Sequence, residues 1–206
     1  MNKNLKILSP FGPKLAKLKL PQKKINLINK EIDRIISNKK IYKKHDYSKK
    51  VVGQVYQEIE ISKKFINKNL KNFLKKNINN YLKKTTNKIS KKFKLKNLWV
   101  VRQFSNEYNP IHYHDGNISG VGYLRIPKNL NMSKKKIKTN GTIDFINGSK
   151  MLLSDSIYNH NPKVGDLIFF PNYLMHTTYP FLVSGERRSF SFNIEIDKKF
   201  SNISNG

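Results

Sequence analysis

Hydrophobic positions divide the chain into two halves with different periods. In the first half they recur at steps of three and four. Ile25, Leu27, Ile28, Ile32, Ile35 and Ile36 predict a helix over residues 25–38, with Pro21 placed to start it. A longer stripe of Ile66, Leu70, Phe73, Leu74, Ile78, Tyr81 and Leu82 predicts an amphipathic helix from Ser62 to Lys88. Lys fills much of its opposite face. A helix packed on a sheet with a wet Lys face explains this better than membrane binding, because strand patterns follow directly. Residues 1–24, punctuated by Pro10, Pro13 and Pro21, read as an irregular basic lead. Residues 45–55 read as a loop containing Gly53, and Gln57–Ser62 as a short alternating, extended segment.

From Leu95 the apolar runs shorten. Strands are expected at Leu98–Val101, Ile111–His114, Ile118–Ile126, Thr142–Ile146, Asp166–Phe170, Leu174–Thr177 and Arg187–Ile196. Asn109-Pro110, Gly116, Gly141, Gly148, Gly165 and Gly185 supply turns between them, and the Lys-rich Ser133–Thr139 reads as a surface loop. No internal repeat is visible. The pattern predicts a mainly β core of the barrel or jelly-roll kind over residues 95–206. A basic helical extension, residues 1–94, would pack on it.

Composition narrows the picture. A chain of 206 residues with 37% hydrophobic and 11% aromatic positions can bury one core. It has no Cys, so disulfides, thiolate zinc sites and a Cys nucleophile are excluded. That composition fits a reducing compartment, and a cytoplasmic location is expected, in a host cell if the chain is phage-encoded. No run reaches the roughly 18 apolar residues of a membrane span, and Met1–Leu20 has no apolar stretch of the secretory kind. The net charge is +28, and only Arg34, Arg102, Arg125, Arg187 and Arg188 among the 41 basic residues are Arg. Phosphate readers favour Arg for its bidentate fork. A chain rich in Lys, Asn and Ile instead reflects an AT-rich genome and a solvated face. A weak nucleic-acid or polyanion contact through the Lys-rich N-terminal half stays open.

The candidate chemistry lies in the second half. In Asn109-Pro110-Ile111-His112-Tyr113-His114-Asp115, a strand after the Asn-Pro turn would point His112 and His114 to one face, and Asp115 to the other. His-x-His alone is more often two exposed His than a metal site. His176, at the end of Leu174-Met175-His176, could close such a site, although a core His would read the same way. His160, in a polar segment, and His45, in a Lys-rich loop, look like bystanders. On Arg187–Asn193, the residues Arg187, Ser189, Ser191 and Asn193 form a polar face in a strand that otherwise looks central. A polar row facing into a barrel calls for a polar ligand, and Arg187 with Ser189 offers a forked charge and a hydroxyl to a carboxylate. Arg188 would face away, as a surface residue.

These blocks resemble the Fe(II)/2-oxoglutarate-dependent oxygenase superfamily, and within it a group of small oxygenases of bacteria and phages. The pattern runs from His-x-His through Ser119-Gly120-Val121-Gly122-Tyr123-Leu124-Arg125-Ile126-Pro127. It continues through Gly165-Asp166-Leu167 to His176, and ends at Glu186-Arg187-Arg188-Ser189-Phe190-Ser191-Phe192-Asn193. The resemblance covers residues 110–193. It implies a double-stranded β-helix core and Fe(II) held by His112, His114 and His176. It also implies 2-oxoglutarate bound through Arg187 and Ser189. Tyr123 matches a position whose hydroxyl reaches the same carboxylate, and reads equally as a core aromatic. The superfamily usually has Asp or Glu where this chain has His114. Asp115 could take that place only through a strand bulge, and His114 is favoured. The reaction implied is hydroxylation of an unidentified substrate, with 2-oxoglutarate and O2 consumed and succinate and CO2 released. The alternatives are a cupin-like three-His metal protein that does not use 2-oxoglutarate, or an inactive basic binding module on the same fold. Against the first, no Glu follows His114 between Gly116 and Gly122.

Overall fold

The computed structural model of the chain describes residues 5–200. In chain order its elements are β1 (Lys6–Leu8), β2 (Leu15–Lys19), α1 (Gln22–Ile36), α2 (Lys39–His45), β3 (Gln57–Glu60), α3 (Lys63–Asn69) and α4 (Lys71–Thr86). There follow β4 (Lys94–Gln103), β5 (Asn109–His112), β6 (Ile118–Arg125), β7 (Ile143–Ile146), β8 (Ile157–His160), β9 (Asp166–Pro171), β10 (Met175–Thr178) and β11 (Arg187–Glu195). The strands form a seven-stranded sheet, β1-β2-β9-β6-β11-β4-β3, and a four-stranded sheet, β5-β10-β7-β8. The described pairings are all antiparallel. The two sheets face each other as the double-stranded β-helix the sequence resemblance implies.

The large sheet is buried on both faces, and strand alternation decides which residue goes where. On β11, Phe190, Phe192 and Ile194 join a core shared with Ile25, Ile28, Ile32 and Ile35 of α1 and Leu74, Ile78, Tyr81 and Leu82 of α4. Gly120 and Gly122 on β6 are needed there. A Cβ at either would come within 2.3 Å of the ring of Phe192 or Phe190. The other face of β11 turns toward the small sheet, where Val121, Ile143, Phe145, Ile168 and Phe170 make a second core. Lys71, Lys75, Lys76, Lys83 and Lys84 of α4 are exposed, the wet face expected.

Several local expectations are corrected. The lead before α1 is not irregular: β2 adds to β9, and β1 to β2. Its Lys residues concealed the strand, because Lys17 and Lys19 turn toward the buried carboxylate of Asp166, at 3.5 and 2.6 Å. The long helix is two, broken at Leu70 (φ −123°, ψ −33°). There Lys24 Nζ takes the carbonyl of Asn69 at 2.8 Å, and the Asn69 amide side chain takes that of Phe65 at 3.0 Å. His45 ends a helix, α2, and its Nδ1 bonds the carbonyl of Glu60 at 2.6 Å. The polar segment Ile157–His160 is strand β8, paired with β7.

Arg188 is not a surface residue; it is fully buried. Its Nε and Nη2 donate to both oxygens of Glu186, at 2.6 and 3.0 Å, and its Nη1 reaches Asp33 on α1 at 2.8 Å. Arg102 and Arg125 also bond Glu186, at 2.7 and 3.0 Å. Burial pushes the Glu186 carboxyl up, but the hydrogen bonds from Arg188 and Arg102 outweigh it and hold the group at about 2. The expected charge on the strand is present, spent on clamping α1 to the sheet.

Candidate active site

His112 ends β5 directly opposite His176 of β10. His114 lies beyond the end of β5, so strand alternation does not aim it. Asn172 does: the His114 amide donates to the Asn172 carbonyl at 2.9 Å, and the Asn172 side-chain amide donates to the His114 carbonyl at 2.9 Å. The three imidazoles meet. Ring centroids are 4.3 Å apart for His112–His176, 4.8 Å for His114–His176 and 5.0 Å for His112–His114. One ligand nitrogen from each lies within 4.8 Å of the others.

Their chemistry suits a cation. His112 Nδ1 bonds the Pro110 carbonyl at 2.7 Å, and His176 Nδ1 the Leu174 carbonyl at 3.0 Å. A carbonyl only accepts, so each Nδ1 carries the proton and each Nε2 keeps its lone pair. Burial lowers His112, holds His176 far down and, with His112 beside it, pushes His114 to about 3. All three rings are neutral near pH 7, as ligands must be. Trp99, Phe145 and Phe170 wall the cluster, with Trp99 5.5 Å from the His114 ring and Phe170 4.9 Å from that of His176. Asp115 stays outside. Its side chain is 85% exposed, with Lys96 Nζ at 3.8 Å.

The imidazoles open on a cavity of about 300 Å³ that also reaches Arg187, Ser189, Ser191 and Asn193, the polar row of β11. Arg187 is buried at its inner end. Nη1 donates to Gln103 Oε1 at 3.0 Å, while Nε and Nη2 make no well-formed hydrogen bond and have only the Tyr123 hydroxyl as a weak partner. The guanidinium lies over the ring of Tyr123, 5.0 Å from its centre. Tyr123 does not line the cavity itself; its buried hydroxyl makes no well-formed hydrogen bond, and burial lifts it to about 12 against the pull of Arg187. Buried donors left unpaired are costly, so this end of the cavity is built for an acceptor, best an anion. Five of the six residues singled out in the sequence thus line one cavity, and the sixth lies under Arg187.

His160 is not a bystander in the structure. It is 3% exposed, its Nε2 lies 3.2 Å from Asp166 and its ring 5.8 Å from that of Tyr123. Burial tends to raise Asp166, but bonds from His160 and Lys19 hold it well below the ordinary carboxylate range. Glu58 of β3 was also missed. It lines the same cavity and is 1% exposed. Its signal was the alternation of Gln57–Ser62: Ile59 and Ile61 face the helices, which turns Glu58 inward.

Residues 97–193 match the family described as "Putative 2OG-Fe(II) oxygenase". Similar solved structures include a prolyl-4-hydroxylase from Pseudomonas putida (12% identity, TM-score 0.58, covering 88% of this chain and 91% of that one). They also include the viral collagen prolyl hydroxylase of Paramecium bursaria Chlorella virus-1 in its 2OG complex (18%, 0.55, 87% and 94%). A third is HygX from Streptomyces hygroscopicus with nickel, 2-oxoglutarate and hygromycin B bound (10%, 0.58, 88% and 82%). No curated protein sequence matches the chain. Over residues 97–193 the chain is thus similar to the 2OG-Fe(II) oxygenase family, and it shares its fold with these solved enzymes. No helix among the described residues is long and apolar enough to cross a membrane.

Proposed function

We propose that the chain is an Fe(II)- and 2-oxoglutarate-dependent dioxygenase that hydroxylates an organic substrate. His112, His114 and His176 would hold the metal. Arg187 and Ser189, with Tyr123 beneath, would hold the distal carboxylate of 2-oxoglutarate. The observation that carries the reading is one cavity with three neutral imidazoles at one wall and a buried, half-unpartnered guanidinium at its inner end. An iron-only or zinc-hydrolytic role would leave the free Nε and Nη2 of Arg187 without purpose.

When bound, iron supplies oxygen activation coupled to decarboxylation of the 2-oxo acid, which is chemistry no side chain here can perform. The chain's own residues bind and orient. Arg187 neutralises the buried carboxylate and fixes its direction through two free N–H groups. The backbone carbonyls of Pro110 and Leu174 lock the His112 and His176 rings in the ligating tautomer. Trp99, Phe145 and Phe170 keep bulk water from the cluster. With His114 where the superfamily usually has a carboxylate, the ligand set is uncharged, and the anionic co-substrate supplies the compensating charge.

Anaerobic titration of the purified chain with Fe(II) and then 2-oxoglutarate tests this. The expected result is a weak visible charge-transfer band that saturates with 2-oxoglutarate, and succinate formation once air is admitted. Tight metal binding with no band and no 2-oxoglutarate binding would overturn it.

A further inference from the structure

Glu58 is out of character with the chain around it. The molecule carries 41 basic residues against 13 acidic ones. Yet among the described residues no ion pair joins this buried carboxylate to any Lys or Arg. The Oε2 atom is buried without a hydrogen-bond partner. Only the backbone of Glu58 is tied down, its amide to Ser48 Oγ at 3.2 Å and its carbonyl to the Tyr47 amide at 2.8 Å. Beside it the Oδ1 of Asn109 is also buried and unpartnered. The chain crosses the pair at Gly53, where a Cβ would lie 2.5 Å from Asn109 Oδ1 and 3.2 Å from both Glu58 oxygens. The charges acting on the carboxyl are those of Asp46 and Glu107, both of its own sign. With burial, they raise it to about 8. By contrast, the buried Asp166 and Glu186 are met by cations, and the buried Asp144 accepts from the Asn159 amide and the Tyr179 hydroxyl.

The position of this acceptor pair is as telling as its lack of partners. Glu58, Asn109 and Gly53 line the same cavity as the three imidazoles, with Trp99, Tyr47 and Val52. Arg187, Ser189 and Lys50 line it too, so the cavity offers donors for an anion and, at Glu58 and Asn109, acceptors without partners.

We propose that Glu58, helped by the Asn109 side-chain oxygen, is the specificity-determining acceptor for the primary substrate, and that this substrate is an organic cation with N–H donors, an amine or a guanidine. The assignment rests on the oxygenase reading for the word substrate, but the binding it predicts does not require turnover. It runs opposite to what the net charge suggests: the basic surface repels such a ligand, and the Glu58 carboxyl, neutral in the empty pocket near pH 7, would ionise against the bound cation.

The test is binding to the full chain, with and without anaerobic Fe(II) and 2-oxoglutarate. The probes are butylamine, cadaverine, agmatine, and N- and C-blocked lysine and arginine. Each is paired with a neutral counterpart: the alcohol, the N-acetyl compound or the urea analogue. Calorimetry or ligand-detected NMR reads affinity. At least one cation should bind about ten-fold or more tightly than its neutral partner, the worth of a charge-assisted buried contact. Glu58→Gln should erase that preference while leaving 2-oxoglutarate affinity unchanged. Gly53→Ala, which crowds both acceptors, should weaken the same probe and keeps the test alive if Glu58→Gln fails to fold. No preference for any cation, or a preference that survives these variants, overturns the proposal. Glu58-dependent cation binding without 2-oxoglutarate binding would sink the oxygenase reading and leave this site standing. The converse would sink this site alone.

Discussion

Replacing Glu58 by Gln should stabilise the free protein above neutral pH, although it removes a charge from a cavity. The carboxyl is 1% exposed, and burial, with Asp46 and Glu107 adding to it, raises it from an ordinary 4.5 to about 8. Between those values the folded chain keeps a proton that the unfolded chain has released. Stability therefore falls as pH rises through this window, and the loss is complete only above the folded value. At about 1.4 kcal/mol per pH unit, the penalty reaches about 4–5 kcal/mol, a large part of a domain's net stability. Gln has the same shape, is neutral at every pH and carries no such penalty. Urea denaturation from about pH 5 to about pH 9 at constant ionic strength measures the difference. The single Trp99, 4% exposed and lining the same cavity, is the natural fluorescence reporter. The variant should match the wild type near pH 5 and exceed it by about 4 kcal/mol near pH 9. Other titrating groups are common to both proteins and cancel. Parallel pH profiles would refute the claim that Glu58 sits uncompensated in the fold.

Arg187→Ala should weaken 2-oxoglutarate binding by about 10–100-fold, since two charge-assisted bonds are lost, and leave Fe(II) affinity nearly unchanged in anaerobic titration; equal loss of both would count against its role. His176→Ala should abolish tight binding of Co(II), read by its visible bands, whereas Asp115→Asn should not alter it, because Asp115 points to solvent beside Lys96. Arg188→Met should cost about 3–5 kcal/mol in urea denaturation by leaving the buried Glu186 short of its bidentate partner, with 2-oxoglutarate affinity preserved because Arg188 faces the helices. Acid should act through the same carboxylate: its folded value of about 2 lies below the ordinary 4.5, so the stability it gives at neutral pH is lost as pH falls through that window.

The β core was legible because β6, β9 and β11 are buried on both faces and Gly and Pro turns cut the strands, so apolar runs and breakers gave most of β4 to β11. The site was legible because β11 shows a polar row, Arg187, Ser189, Ser191 and Asn193, on an otherwise apolar strand. Reading failed where a partner distant in sequence decides the outcome. Lys17 and Lys19 look like solvent-facing residues until Asp166 is brought beside them. Leu70 continues a perfect stripe, yet the helix breaks there, beside the bond from Lys24 to the Asn69 carbonyl. Arg188 is a surface residue by type and a core residue by virtue of Glu186 and Asp33. His114 was placed on the right side for the wrong reason, since Asn172 rather than strand alternation turns it inward. Glu58 carried no motif at all, and its lack of an ion pair among the described residues could be seen only once the neighbours were known.

The docking of β2 onto β9 has a consequence for how the molecule is made. Leu15–Lys19 leaves the ribosome long before Asp166–Pro171, the strand that its hydrogen-bonding edge waits for. Until then a nascent chain offers a bare template for unwanted pairing. Lys17 and Lys19 repel other copies of the same segment in that interval, and Asp166 later neutralises them, so the same two charges would serve first as gatekeepers against aggregation and then as a latch.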